Sequence, residues 1–127
     1  MNQGSPSPLT GNERTAIDEY LERVHRQFGE QILSVTLFGS KARGDSDVES
    51  DIDLLVLVKD ETWELRSALW RTASDVGLIH NLVISVRVFA RARWAETRRL
   101  RLPLYRAVAA DGVPLSYGSE SAPALSG

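Results

Sequence analysis

Gly39-Ser40-Lys41-Ala42-Arg43-Gly44 is followed by Asp45, Asp47, Glu49, Asp51 and Asp53, five acids at alternate positions with no base among them. In an extended segment alternate side chains point the same way, so Asp51 and Asp53 bring two carboxylates side by side on one face. Like charges that close repel, and a divalent cation is the simplest reason for keeping both. Hard oxygen ligands beside a phosphate-binding turn favour Mg2+ or Mn2+. Upstream, a strand running into Gly39-Ser40 predicts a tight turn whose backbone N–H groups and Ser40 hydroxyl hold phosphate oxygens. Lys41 and Arg43 are placed to offset the charge of a triphosphate.

Two other phosphate or metal loops fail on the letters. Gly39 and Gly44 have the separation of a Walker loop, but Asp45 stands where the phosphate-binding lysine is needed. Asp45, Asp47 and Glu49 fit the first ligand positions of an EF-hand, yet Ser50 replaces its turn glycine and Val56 its bidentate glutamate. A solvated acidic turn would explain scattered acids. It would not explain Gly-Ser ten residues ahead of Asp-Ile-Asp with an apolar strand behind it.

The elements that must position these residues can be read from periodicity. Thr10 and Glu13 form a capping-box pattern, and Ile17, Leu21, Val24 and Phe28 recur at helical spacing, so a first helix runs to about Phe28 and stops at Gly29. Ile32 to Phe38 and Ile52 to Val58 are nearly all apolar and rich in branched residues, as expected of central strands covered on both faces. Leu65, Ala68, Leu69, Thr72, Ala73 and Val76 predict a second long helix closing at Gly77. Asn81 to Phe89 alternates as a third strand. Arg91 to Leu100 and Pro103 to Ala110 read as helical pieces, the second with proline at its start and Gly112 after its end. The predicted order is α, β, β, α, β, α.

A chain of 127 residues, 43% hydrophobic and 25% charged, reads as one globular domain. Residues 1–9 and 116–127 are rich in Ser, Gly and Pro and read as mobile tails, leaving 10–115 as the folded domain. The longest apolar run, Leu54 to Val58, is far too short to span a membrane. The start lacks the basic and apolar stretches of a secretory signal, and the absence of cysteine excludes disulfides, zinc–thiolate sites and thiol nucleophiles. A cytoplasmic location is expected.

Gly39-Ser40, ten residues, then Asp51-Ile52-Asp53 and Leu-Leu-Val resemble the signature of the DNA polymerase β-like nucleotidyltransferases, in the small form called minimal nucleotidyltransferases. The resemblance covers about residues 15 to 112. It implies an α/β (α+β) nucleotidyltransferase fold, a mixed sheet flanked by helices, with a nucleoside triphosphate at the Gly39-Ser40 turn. It further implies that Asp51 and Asp53 ligate two Mg2+ ions, which orient the α-phosphate and the attacking oxygen. Active members carry a third carboxylate on the next strand, and here that strand has no Asp or Glu. Alternation makes Ser85 the possible third-ligand position, with Val83 and Arg87 on the same side. Asp75, Glu96 or a partner chain are the other sources of the missing group.

Arg87, Arg91, Arg93, Arg98, Arg99, Arg101 and Arg106 stand against the single acid Glu96. Such a run suits a phosphate-rich partner or an acidic protein surface, or is simply a solvated helical face. Phe89, Trp94 and Tyr105, with Trp63 and Trp70, read as core or interface fillers, and His25 and His80 as structural.

Within the resembled family, small domains often act on a separate helical HEPN-type toxin, transferring AMP from ATP to a tyrosine. The expected function is therefore nucleotide transfer to a partner protein, as the antitoxin of a toxin–antitoxin module. Its rival is a catalytically silent module of the same fold that neutralises its partner by contact. Direct nucleic-acid binding through the arginines is the weakest reading, and no membrane partner is expected.

Overall fold

A computed structural model describes residues 9–44 and 51–115. Asp45, Asp47 and Glu49, and nearly all of both expected tails, lie outside the described residues. Helix α1 (Gly11–Phe28) is followed by a 3-10 turn (Gly29–Gln31), strand β1 (Ile32–Phe38), the single-turn helix α2 (Ser40–Arg43) and strand β2 (Ile52–Val58). Helix α3 (Trp63–His80), strand β3 (Ile84–Ala90), helices α4 (Arg91–Arg99) and α5 (Pro103–Asp111) and the short strand β4 (Val113–Leu115) complete the chain. This is the expected α+β arrangement, with α2 and β4 added.

The strands form one mixed sheet in the order β3-β2-β1-β4. β1 is antiparallel to both β2 and β4, while β2 and β3 are parallel, and α3 supplies the crossover that a parallel pair requires. The central strands bury both faces. On the first, Ile52, Leu54, Val56 and Val58 meet Ile17, Leu21 and Val24 of α1 and Leu65, Leu69 and Val76 of α3. On the second, Phe38, Leu55 and Leu57 meet Trp94 of α4 and Val108 of α5. Tyr20, fully buried, donates its hydroxyl to the Leu69 carbonyl and ties α1 to α3; burial raises its ionisation well above the usual range.

The capping box forms as expected: Glu13 N donates to Thr10 Oγ1 and Thr10 N to Glu13 Oε1. Leu9, assigned to the tail by composition, packs against the first core. Helix α3 does not close at Gly77. It continues to His80 and ends on Asn81 in the left-handed conformation (φ 58°, ψ 46°), whose N–H returns to the Gly77 carbonyl. A Cβ on Gly77 would lie 2.5 Å from the Leu82 carbonyl oxygen, so this glycine admits the chain passing beneath the helix rather than stopping it. The third strand accordingly begins at Ile84 rather than Asn81.

Candidate active site

Strand β1 delivers the chain to Gly39, whose φ of 78° and ψ of −159° lie in a region essentially restricted to glycine. From there α2 turns once and ends on Gly44, again at positive φ. The Gly39 position faces the start of β2: a Cβ there would lie 2.5 Å from Asp53 Oδ2. Phe38 pairs with Asp53 across the antiparallel ladder. The turn and the Asp-Ile-Asp segment, ten residues apart in sequence, are thus brought together by strand pairing.

Asp53 is half-buried and Asp51 exposed. Burial pushes the Asp53 carboxyl above the usual carboxylate range, the charge of Asp51 pushes it further the same way, and Arg87 opposes both. On the other side of Asp53, β3 places Ser85 directly opposite it and Arg87 opposite Leu55. By strand alternation, Asp53, Ser85 and Arg87 share the second face of the sheet. Leu55 and Leu57, further along that face, are sealed under α4 and α5, so the acidic end of β2 lies where the helical cover stops.

The flanking cations behave differently from expectation. Lys41 is engaged by the protein itself. Its ammonium is buried and donates to Oε2 of Glu13, itself buried at the start of α1. Burial pushes the Glu13 carboxyl up, but hydrogen bonds from Lys41 and Thr10 and the lysine's charge more than offset it, so the group titrates below the ordinary range. The pair pins α2 to α1, and it joins residues 28 apart, a separation with no periodic signature. Arg43 remains exposed at the end of α2 and lies 3.5 Å from Asp111 of α5.

Neither acid offered as a third ligand joins the pair. Asp75 is exposed on α3, the helix that covers the first face. Glu96 is held by Arg99 on α4. Among the described residues no three Asp, Glu, His or Cys side chains come together. His80 bonds Glu19 at 2.8 Å in a structural role. Much of the arginine run is similarly engaged: Arg93 forks onto Glu61 and also caps the Val88 carbonyl. Trp94 fills the second core against Phe89 and Tyr105, whereas Trp63 is 70% exposed.

Asp51 and Asp53 provide two hard anionic donor groups of the kind that divalent cations take.

Residues 17–108 match the family described as the nucleotidyltransferase domain. The chain belongs to that family. Two curated relatives, both named "Putative protein adenylyltransferase" and both from Methanocaldococcus jannaschii, are similar over part of their lengths. One is 46% identical over 44 residues, 35% of this chain and 30% of the relative. The other is 34% identical over 76 residues, 59% of this chain and 77% of the relative. Among solved structures, one described as a "putative nucleotidyltransferase from Sulfolobus solfataricus" superimposes with a TM-score of 0.55 at 22% identity, covering 97% of each chain. A toxin–antitoxin complex with AMP-PNP gives 0.50 at 22% identity, over 80% of this chain and 74% of that one. These two likenesses establish the nucleotidyltransferase fold. No helix among the described residues is long and apolar enough to cross a membrane.

Proposed function

We propose that this nucleotidyltransferase-family protein transfers AMP from ATP to a hydroxyl group of a partner protein. The observation that carries the reading is the seating of Asp53 against the Gly39 turn, where no side chain other than glycine's leaves room for the carboxylate. A triphosphate at Gly39 and Ser40 then lies beside the pair Asp51 and Asp53. Mg2+ or Mn2+ held by these carboxylates supplies charge neutralisation of the α-phosphate. The acceptor oxygen forms a bond to the α-phosphorus, the bond to the β-phosphate oxygen breaks, pyrophosphate leaves, and the hydroxyl proton passes to solvent. Arg43, exposed at the end of α2, is assigned to offset the charge of the departing phosphates.

A protein acceptor is supported by the adenylyltransferase names of the two relatives. The toxin–antitoxin complex of the same fold supports a toxin as that acceptor, with this chain as the antitoxin; a helical HEPN-type toxin is what the family resemblance adds to the reading. In this reading the acceptor is a separate molecule, and a cytoplasmic setting with ATP and Mg2+ fits it. Incubation with α-labelled ATP, Mg2+ and a candidate toxin tests it: label should appear on a toxin tyrosine, and absence of transfer despite nucleotide binding would overturn it.

The silent-module reading has an observation of its own, Ser85 opposite Asp53 in register, where the family resemblance implies a third carboxylate. Under it the protein neutralises its partner without ATP, and Asp53→Asn would leave neutralisation intact.

A further inference from the structure

Along α3, Trp63, Ser67, Trp70, Ser74 and Leu78 recur at spacings of four and three residues and form one line on the helix surface, away from the core side of Leu65, Leu69, Ala73 and Val76. Apolar side chains on this line stand in water: Leu78 is 80% exposed, Trp63 70% and Trp70 38%, with Val83, just before β3, at 59%. The two indoles meet edge-on, their centroids 6.2 Å apart. Beside the line, between α3 and β3, runs a groove of about 350 Å3 whose walls include Trp70, Ser74, Gly77, Leu78, Val83 and Ile84.

β3 is an edge strand, yet its outer rim is taken by side chains. Trp70 Nε1 donates to the Val86 carbonyl, Arg93 Nη2 to the Val88 carbonyl, and Ala90 N to Glu61 Oε1. Addition of a partner strand is thereby blocked, and this face is left to side-chain packing.

Area and charge identify what fits it. The exposed parts of Trp63, Trp70, Leu78 and Val83 present about 500 Å2 of apolar surface. Homodimer interfaces are about 65% apolar, so one holding this patch would bury about 800 Å2 per subunit, the size of a stable association. Exposed Arg71 and Asp75 flank the line. Antiparallel packing of two α3 helices about a two-fold axis sets Arg71 of each copy beside Asp75 of the other. In that register Trp63 of each copy lies level with the C-terminal end of α3 in the other, where the groove runs. The face therefore complements itself. Asp53 lies on the second face of the sheet, so this packing leaves both candidate active sites open.

We propose that the protein forms a two-fold homodimer in which the α3 helices pack antiparallel, with Trp63 of each copy seated at the α3–β3 groove of the other. Sedimentation equilibrium of the full chain should give twice the chain mass, with dissociation constants raised at least about tenfold by Trp63→Ala and by Leu78→Glu. Both positions are exposed, so both variants should keep the wild-type circular dichroism. Leu100→Glu, a change at an exposed leucine after α4, should dimerise as wild type does. Arg71→Asp alone should weaken the dimer, and adding Asp75→Arg should restore it. A chain that stays monomeric at every concentration would overturn the proposal and leave the face to a different protein. A dimer indifferent to Leu78→Glu, or a double variant no tighter than Arg71→Asp, would overturn it as well.

Discussion

A Cβ on Gly39 would lie 2.5 Å from Asp53 Oδ2, closer than a carbon and a carboxylate oxygen can stand. The glycine therefore serves two ends at once: it permits the sharp exit from β1 and leaves the space in which the first face-two carboxylate of β2 sits. Gly39→Ala should cost about 1–3 kcal/mol from backbone strain alone, and more from the displaced Asp53. ATP binding should be lost. Ser40→Ala removes one hydroxyl contact, on the order of 1 kcal/mol, and should weaken ATP several-fold. Calorimetry on both variants checks this, and equal effects would mean that the turn does not contact phosphate.

Asp51→Asn and Asp53→Asn each remove a charged ligand with little change of shape. Both should abolish Mg2+-dependent ATP binding. Because burial and the Asp51 charge make ionised Asp53 unfavourable, thermal stability of both variants in chelator should equal or exceed that of wild type. Unchanged affinity for Mg2+–ATP in both would remove these carboxylates from the metal site.

The Lys41–Glu13 pair carries a separate prediction. Glu13→Gln leaves the Lys41 ammonium buried without its counter-charge, which should cost about 3 kcal/mol at neutral pH. Glu13 titrates below its unfolded value in the folded chain. Its contribution is therefore complete above the ordinary carboxylate range and lost as pH falls through the depressed folded value. Urea unfolding across this acidic range should show a shallower decline for Glu13→Gln than for wild type. The double variant Glu13→Gln with Lys41→Met should recover part of the lost stability; an additive loss would mean that the two side chains are not coupled.

How much of this was visible in the letters follows from the range of the interactions involved. Thr10 and Glu13 are three residues apart, and the strands Ile32–Phe38 and Ile52–Val58 declare themselves by continuous apolar character. Asp51 and Asp53 follow from alternation within one strand. The Lys41–Glu13 pair was not legible, because read locally a lysine after Gly-Ser is assigned to a phosphate, and only the folded chain brings Glu13 of α1 onto it. Gly77 misleads for a related reason, since its close neighbour is the Leu82 backbone after the helix has turned back, and the helix stop is Asn81. β4 has three residues, too few to show a period, and exists because Gly112 brings the chain back beside β1.

Ser85 offers the sharpest test of the incomplete carboxylate set. It stands opposite Asp53 in the parallel ladder, so Ser85→Asp places a third carboxylate against two that already repel. Without metal this variant should melt below wild type, because the added charge is only partly offset by Arg87. With Mg2+ the order should reverse, since the three carboxylates bind the ion more tightly and binding to the folded state alone raises its stability. Ser85→Ala, which adds no ligand, should gain no more from Mg2+ than wild type does. A Ser85→Asp variant equally destabilised with and without Mg2+ would show that the position opposite Asp53 in register does not reach the ion.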